Sequence, residues 1–231
     1  MMSLWRIADE GPQRVPGTRL LNEGLKEDML ESWIEADATL LGEPLFMIGR
    51  QVQIPDTRDR LDLLALDAQG HAVVIELKRG DLKDPVDVQA LRYVSYVAKW
   101  SFDEFEAVAR EYRSRTQSDF DFNQEFERFC EDVRGELPED LNADQRIIIV
   151  GEAVREKLGS VALWLRDHSV DIKLIEVRSY MDGGSMLIEP KVLVPQKALS
   201  GIRSCTSPFE RTTSTGWPCT PAARCSHSTS T

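Results

Sequence analysis

The fold is decided by Arg60-Leu61-Asp62-Leu63-Leu64-Ala65-Leu66, the turn Asp67-Ala68-Gln69-Gly70, and then Val73-Val74-Ile75-Glu76-Leu77-Lys78. Two apolar runs of strand length joined by a short Gly-containing connection predict a β-hairpin. Each run carries charge that an apolar strand does not ordinarily hold. Asp62 stands near the start of the first. Glu76 and Lys78 lie two apart in the second, so period two turns both to one face while Val73, Ile75 and Leu77 face the core. A carboxylate and an ammonium on a buried strand are costly unless they pair or bind something. Across the hairpin Asp62 and Glu76 can converge. Two carboxylates beside a lysine suit a hard cation, Mg2+ or Mn2+, which takes one or two carboxylates together with water and substrate phosphate. Such an ion polarises a phosphodiester and acidifies bound water, while Lys78 can orient that water, help deprotonate it or stabilise developing charge.

Working outward, residues 86–100 predict a helix opened by Pro85. Gln89, Arg92 and Tyr93 share a face of it and can line a groove. Upstream, residues 25–36 predict a helix with Leu25, Met29, Leu30, Trp33 and Ile34 on its apolar face. Glu27 and Glu31 lie one turn apart on it, and either can bring a further carboxylate to the site. Strands are expected at 3–8, 46–54, 146–150, 170–177 and 186–192, and helices at about 103–115, 122–133 and 157–167, with 11–18 as loop. The alternation of strand and helix makes this an α/β chain. Phe102, Phe105, Phe120, Phe122, Phe126 and Phe129 recur at helical spacing and are read as core. His71 and His168 have no partner at metal or triad spacing and are read as structural.

The chain has 231 residues and a net charge of −11. The acidity is uneven: residues 50–100 hold eight basic and eight acidic groups, whereas 101–196 hold twelve and twenty-one. No run of 18 apolar residues suggests a membrane span, and no apolar leader follows a basic start. The glycines form no phosphate loop, which argues against an NTPase. Cys130 is isolated, which fits a reducing cytoplasm. From Lys197 onward, 14 of 35 residues are Ser or Thr, and Cys205, Cys219, Cys225 and His227 match no zinc spacing. That segment reads as a disordered tail or an out-of-frame translation. The expected organisation is 1–100 as the core carrying the chemistry, 101–195 as an extension packed on or continuing it, and 196–231 as tail.

The order of these groups resembles the PD-(D/E)xK nuclease superfamily, and most closely the nuclease domain of NucS-type endonucleases. That superfamily's first-helix Glu, strand Asp, E-x-K and helix Gln are matched by Glu27 (or Glu31), Asp62, Glu76-Leu77-Lys78 and Gln89. The runs RLDLLALD, VVIELKRG and QALRYVSYV are similar to NucS-type wording. The resemblance covers roughly residues 18–100, and the β-rich domain that precedes the motifs in NucS-type chains has no counterpart ahead of them. It implies a restriction-endonuclease-like core, with a mixed central β-sheet flanked by helices. It implies a Mg2+- or Mn2+-dependent endodeoxyribonuclease serving repair or defence. The metal would be held by Asp62, Glu76 and the backbone carbonyl of Leu77. Asp62, Glu76, Lys78, Gln89 and Glu27 would be catalytic, Glu27 being preferred over Glu31 because it precedes the apolar run as in the family. Arg60, Arg79, Arg92 and Tyr93 would bind nucleic acid, with Arg58 and Lys83 nearby. The partners implied are DNA (single-stranded, branched or mismatched), no membrane, and a second copy in a homodimer. The competing readings are a nucleic-acid-binding module of weak or no activity on the same fold, and a protein whose charged strands form an ordinary ion-pair cluster.

Overall fold

The hairpin forms at the expected place, inside a larger sheet. The computed structural model describes residues 4–194 except 56, 83–85, 115–118 and 155, and leaves aside the side chains of 79–82. Its strands are β1 (Trp5–Ala8), β2 (Gly11–Arg14), β3 (Gly17–Thr18), β4 (Phe46–Gln53), β5 (Arg60–Leu66), β6 (Ala72–Leu82), β7 (Gln145–Val154), β8 (Asp171–Asp182) and β9 (Ser185–Val194). Its helices are α1 (Glu27–Ala36), α2 (Val86–Val97), α3 (Phe102–Arg113), α4 (Phe122–Arg134) and α5 (Glu156–Asp167), with a 3-10 turn at Ala38–Leu41. The expected tail at 196–231 lies outside the described residues.

Seven strands form one sheet in the order β3-β8-β7-β6-β5-β4, with β9 added along β8. The sheet is mixed. β4, β5 and β6 are antiparallel neighbours, β6, β7 and β8 are parallel, and β3 and β9 run antiparallel to β8. Parallel neighbours need crossovers, and helices supply them: α2, α3 and α4 lie between β6 and β7, and α5 between β7 and β8. Residues on either side of position 100 therefore contribute to one sheet.

Helices cover both faces, because both faces of the inner strands are apolar. On one face Leu30 and Ile34 of α1 and Leu41 of the 3-10 turn pack on Leu63, Ala65, Val73, Ile75, Leu77, Ile148 and Val150. On the other, α2, α3 and α4 cover Phe46, Ile48, Leu64, Leu66 and Val74, and α2 with α5 covers Ile147, Ile149, Ile172 and Leu174. Phe105 and Phe122 are fully buried there, and truncating either to Ala would cost about 3–5 kcal/mol. Phe126 is buried too, whereas Phe102 is partly exposed. On α1, Leu30 and Ile34 face the core as expected, but Met29 is exposed.

Residues 11–14 differ from the loop expected there. They form β2, paired antiparallel with β1 from Trp5↔Arg14 to Ala8↔Gly11. Most residues of this two-stranded ribbon are exposed, so it has no apolar alternation for a sequence reading to detect. Among the described residues, no helix is long and apolar enough to cross a membrane.

Candidate active site

The site is built where β5 and β6 part. Their ladder runs from Leu66↔Ala72 to Leu63↔Ile75 and stops, although both strands continue. One further step in the same register sets Asp62 opposite Glu76. In the gap the Asp62 Oδ2 accepts the Leu77 backbone N–H at 2.8 Å. A side-chain carboxylate thus takes the place of the missing ladder partner. On its other edge β6 stays paired with β7 through Lys78, so Glu76 and Lys78 are held by a continuous parallel ladder.

Glu76 is fully buried. Its Oε1 accepts from Lys78 Nζ at 2.6 Å, and its Oε2 accepts no hydrogen bond. Burial raises the Glu76 pKa to about 8, and the neighbouring Asp62 charge adds to the shift. Lys78 Nζ also lies 3.7 Å from Asp62 Oδ2 and 3.9 Å from Glu27 Oε1. Burial alone would lower the lysine pKa, but Glu76, Asp62 and Glu27 outweigh it and hold the pKa above its ordinary value. The ammonium is the point on which these three carboxylates converge.

α1 reaches the site by two routes. Glu27 opens the helix, where the macrodipole favours a carboxylate, and it faces Lys78. One turn later the buried Glu31 accepts Arg50 Nε at 3.0 Å and Gln51 Nε2 at 3.0 Å. Burial raises the Glu31 pKa despite both bonds. Arg50 also donates to Glu35 at 2.9 Å and to the Asp28 carbonyl at 2.8 Å. One guanidinium therefore holds α1 against β4 at three points. Tyr112 of α3 donates to the other Glu35 oxygen at 2.7 Å. Gln51 Nε2 lies 3.3 Å from Asp62 Oδ1 as well, so Glu31 is linked to Asp62 through Gln51. Sequence reasoning missed Arg50 and Gln51. The signal was faint: β4 reads as plain alternation, and Gly49 alone marks a change.

The residues expected on α2 are only partly where a substrate groove needs them. Gln89 Nε2 donates to Tyr93 Oη at 2.9 Å, and Tyr93 Oη donates to the Arg60 carbonyl at 2.9 Å. Tyr93 is 2% exposed, and burial raises its pKa. The expectation that Tyr93 touches nucleic acid is thereby corrected: its ring packs between α2 and the sheet, and its hydroxyl anchors the start of β5. Arg60 and Arg92 are exposed, the latter paired with Asp59 at 3.3 Å. The side chain of Arg79, and Lys83 altogether, lie outside the described residues.

A second charged cluster closes the other end of β5. Buried Arg146 contacts Asp67 at 2.9 Å, Glu43 at 2.9 Å and Asp171 at 3.2 Å. Lys173 meets Glu43 at 2.8 Å, and His71 Nδ1 lies 3.1 Å from Asp67 Oδ2. His71 therefore pairs with a carboxylate four residues back. Cations and carboxylates alternate through this cluster, so it works as structural glue.

Among the described residues, no three His, Cys, Asp or Glu gather at metal-ligand spacing. The donors that fit a hard cation are Asp62 and Glu76, and two carboxylates are enough for Mg2+ or Mn2+, which keep several waters. Glu76 Oε2, which accepts no hydrogen bond, is what such an ion would satisfy.

No protein-family model matches the chain, and no curated protein does. Among solved structures it is similar to a repair endonuclease from Pyrococcus abyssi, with 18% identity and a TM-score of 0.39 over 65% of this chain and 47% of that one. It is also similar to an EndoMS–dsDNA complex, with 15% identity and a TM-score of 0.33 over 65% of this chain and 44% of that one. The chain matches less than half the length of either. At these scores the functional reading rests on the site itself.

Proposed function

We propose that the chain is a metal-dependent endonuclease that hydrolyses phosphodiester bonds in DNA. The observation that carries this reading is the fully buried Glu76 carboxyl, with one oxygen bound by Lys78 and the other accepting no hydrogen bond, set beside Asp62 so closely that its pKa is raised. Leaving a buried acceptor unsatisfied is destabilising by about 1–3 kcal/mol, and a bound ion or a catalytic role is among the reasons native structures keep one. Asp62 and Glu76 would hold Mg2+ or Mn2+. The Leu77 carbonyl would join them, because in an extended strand it points to the same side as the Leu77 N–H, which is toward the gap. When bound, such a cation polarises the phosphate and acidifies its water.

The chain's own groups supply the rest. Lys78, at the point where the Glu76, Asp62 and Glu27 carboxylates meet, would stabilise negative charge developing on the phosphate or orient the attacking water. Glu27, 3.9 Å from Lys78 Nζ, helps keep that ammonium at the convergence point. Gln89 acts through Tyr93 to hold Arg60 in place. Arg60 and Arg92, exposed at the same end of the sheet, provide phosphate contacts that position the strand without reading its sequence. With Asp62 and Glu76 neutralised by a cation, the balanced charge of residues 50–100 becomes net positive, as a nucleic-acid partner requires.

The test is cleavage of single-stranded, flapped and mismatched DNA with Mg2+ or Mn2+. Wild type should cut at least one of these, and Glu76→Ala and Lys78→Ala should be slower by about 100-fold or more. Equal residual activity in wild type and Glu76→Ala overturns the reading. Salt-dependent DNA binding that survives both substitutions, without cleavage, would instead identify a non-catalytic binding module.

A further inference from the structure

Gln51 stands in a backbone conformation that its own side chain has to justify. Its φ is +51°, in the left-handed region where non-glycine residues are uncommon and where Asn, Asp and Gly are the ordinary occupants. The conformation has a geometric result. Gly49 and Val52 face α3 together although they are three apart: a Cβ on Gly49 would meet Val52 Cγ2 at 2.3 Å and Val108 Cγ1 at 3.2 Å. Arg50 faces α1. Strict alternation would then send Gln51 toward α3, and the left-handed turn sends it toward α1 instead.

The partner strand changes face at the same level, in unbroken register; the one shift of this ladder lies earlier, between Met47 and Gly49. Arg50↔Leu63 and Val52↔Leu61 flank the step, so Gln51 lies opposite Asp62. Leu61 and Leu64 pack in one cluster while Leu63 packs in the other, which is again one residue out of period. The paired changes of face deliver the Gln51 amide and the Asp62 carboxylate to the same spot.

There the amide nitrogen donates to Glu31 Oε1 at 3.0 Å and to Asp62 Oδ1 at 3.3 Å. The second Asp62 oxygen takes the Leu77 N–H. The carboxylate is held at both ends, one to β6 and the other, through Gln51 and Glu31, to α1. We propose that Gln51 is a positioning residue that fixes the orientation of Asp62 for cation and phosphate, and that the left-handed backbone exists to place it. This rests on the endonuclease reading and adds to it a residue outside the set the resemblance supplied. A fold that needed only the turn would be better served by glycine.

The test compares wild type with Gln51→Gly and Gln51→Asn. Glycine removes both the amide and the left-handed penalty. Asparagine accepts the backbone but is one methylene too short to reach both carboxylates. Both variants should melt at or above the wild-type temperature without metal. The Mn2+ concentration giving half of the maximal thermal stabilisation should rise about 10-fold or more, and kcat on DNA should fall about 10- to 100-fold, the usual effect of losing a group that orients a metal ligand. KM for DNA should stay within about twofold. Wild-type Mn2+ midpoint and kcat in both variants would overturn the proposal, as would a melting temperature that falls in step with activity in both. If wild type neither shifts with Mn2+ nor cuts DNA, the endonuclease reading fails and this proposal falls with it. If wild type does both, only the Gln51 proposal is at stake.

Discussion

Replacing Glu76 with glutamine should make the protein more stable in alkali and leave it almost unchanged in acid. Glu76 is fully buried, and its pKa rises from an ordinary 4.5 to about 8, first through desolvation and then through Asp62. Below pH 4.5 the carboxyl is protonated in both folded and unfolded chains and imposes no penalty. Between pH 4.5 and 8 the unfolded chain releases the proton while the folded chain retains it, so stability drains away as pH rises through the folded pKa. A shift of roughly 3–4 units at 1.36 kcal/mol each corresponds to about 4–5 kcal/mol by pH 9. Glutamine has no proton to lose and can still accept from Lys78. The stability of Glu76→Gln relative to wild type should therefore climb by about 4 kcal/mol between pH 5 and pH 9. Denaturant unfolding followed by circular dichroism at each pH reads this directly, and the difference cancels titrations the two proteins share. A difference that stays flat to within about 1 kcal/mol would refute the reasoning. Mn2+ extends the experiment. A cation that takes the place of the Glu76 proton should flatten the wild-type pH dependence and leave the variant's unchanged.

Arg146→Met removes the cation shared by Asp67, Glu43 and Asp171 and should cost about 3–5 kcal/mol in denaturant unfolding, the usual penalty for stranding buried charge. His71 should show the pH signature of a histidine that gains a partner: its pKa is raised by the Asp67 hydrogen bond. That contribution is fully present below the unfolded pKa near 6.5 and disappears as pH rises through the higher folded value, so His71→Asn should lose more stability at pH 5.5 than at pH 9. Tyr93→Phe leaves the Arg60 carbonyl and the Gln89 amide short of a partner and should cost about 1–2 kcal/mol by urea unfolding. Because the hydroxyl is buried, that substitution should change DNA affinity less than Arg60→Ala does, as read by fluorescence anisotropy against salt.

The hairpin was legible because charge inside an apolar strand is rare enough to mean something, and the spacing of Glu76 and Lys78 gave their common face before any fold was known. The convergence of Asp62 on Glu76 followed from the same hairpin. Most helices and strands were legible from apolar period, with ends within a few residues. What escaped was whatever apolar period does not record. β1 and β2 are largely exposed and have none. The turn at Gln51 offsets the irregularity between Met47 and Gly49, so Phe46, Ile48, Val52 and Ile54 stay in one cluster and the apolar letters keep plain alternation, with Gly49 the single trace in the sequence. Arg50 drew no notice in the sequence, because its partners belong to a helix 15–19 residues earlier. Arg146 heads a run of isoleucines, and one of the carboxylates that neutralise it, Asp67, lies 79 residues upstream.

The bond from the Leu77 amide to Asp62 turns one backbone hydrogen into an indicator. Elsewhere in the β5–β6 ribbon an amide exchanges with deuterated solvent when the strands unzip. The Leu77 amide is freed instead when a single carboxylate swings away, and its proton and nitrogen resonances will follow that carboxylate's charge. Titrated with Mn2+ replaced by diamagnetic Mg2+, this one cross-peak separates two events that a melting curve merges: loosening of the sheet and occupation of the cleft between its strands.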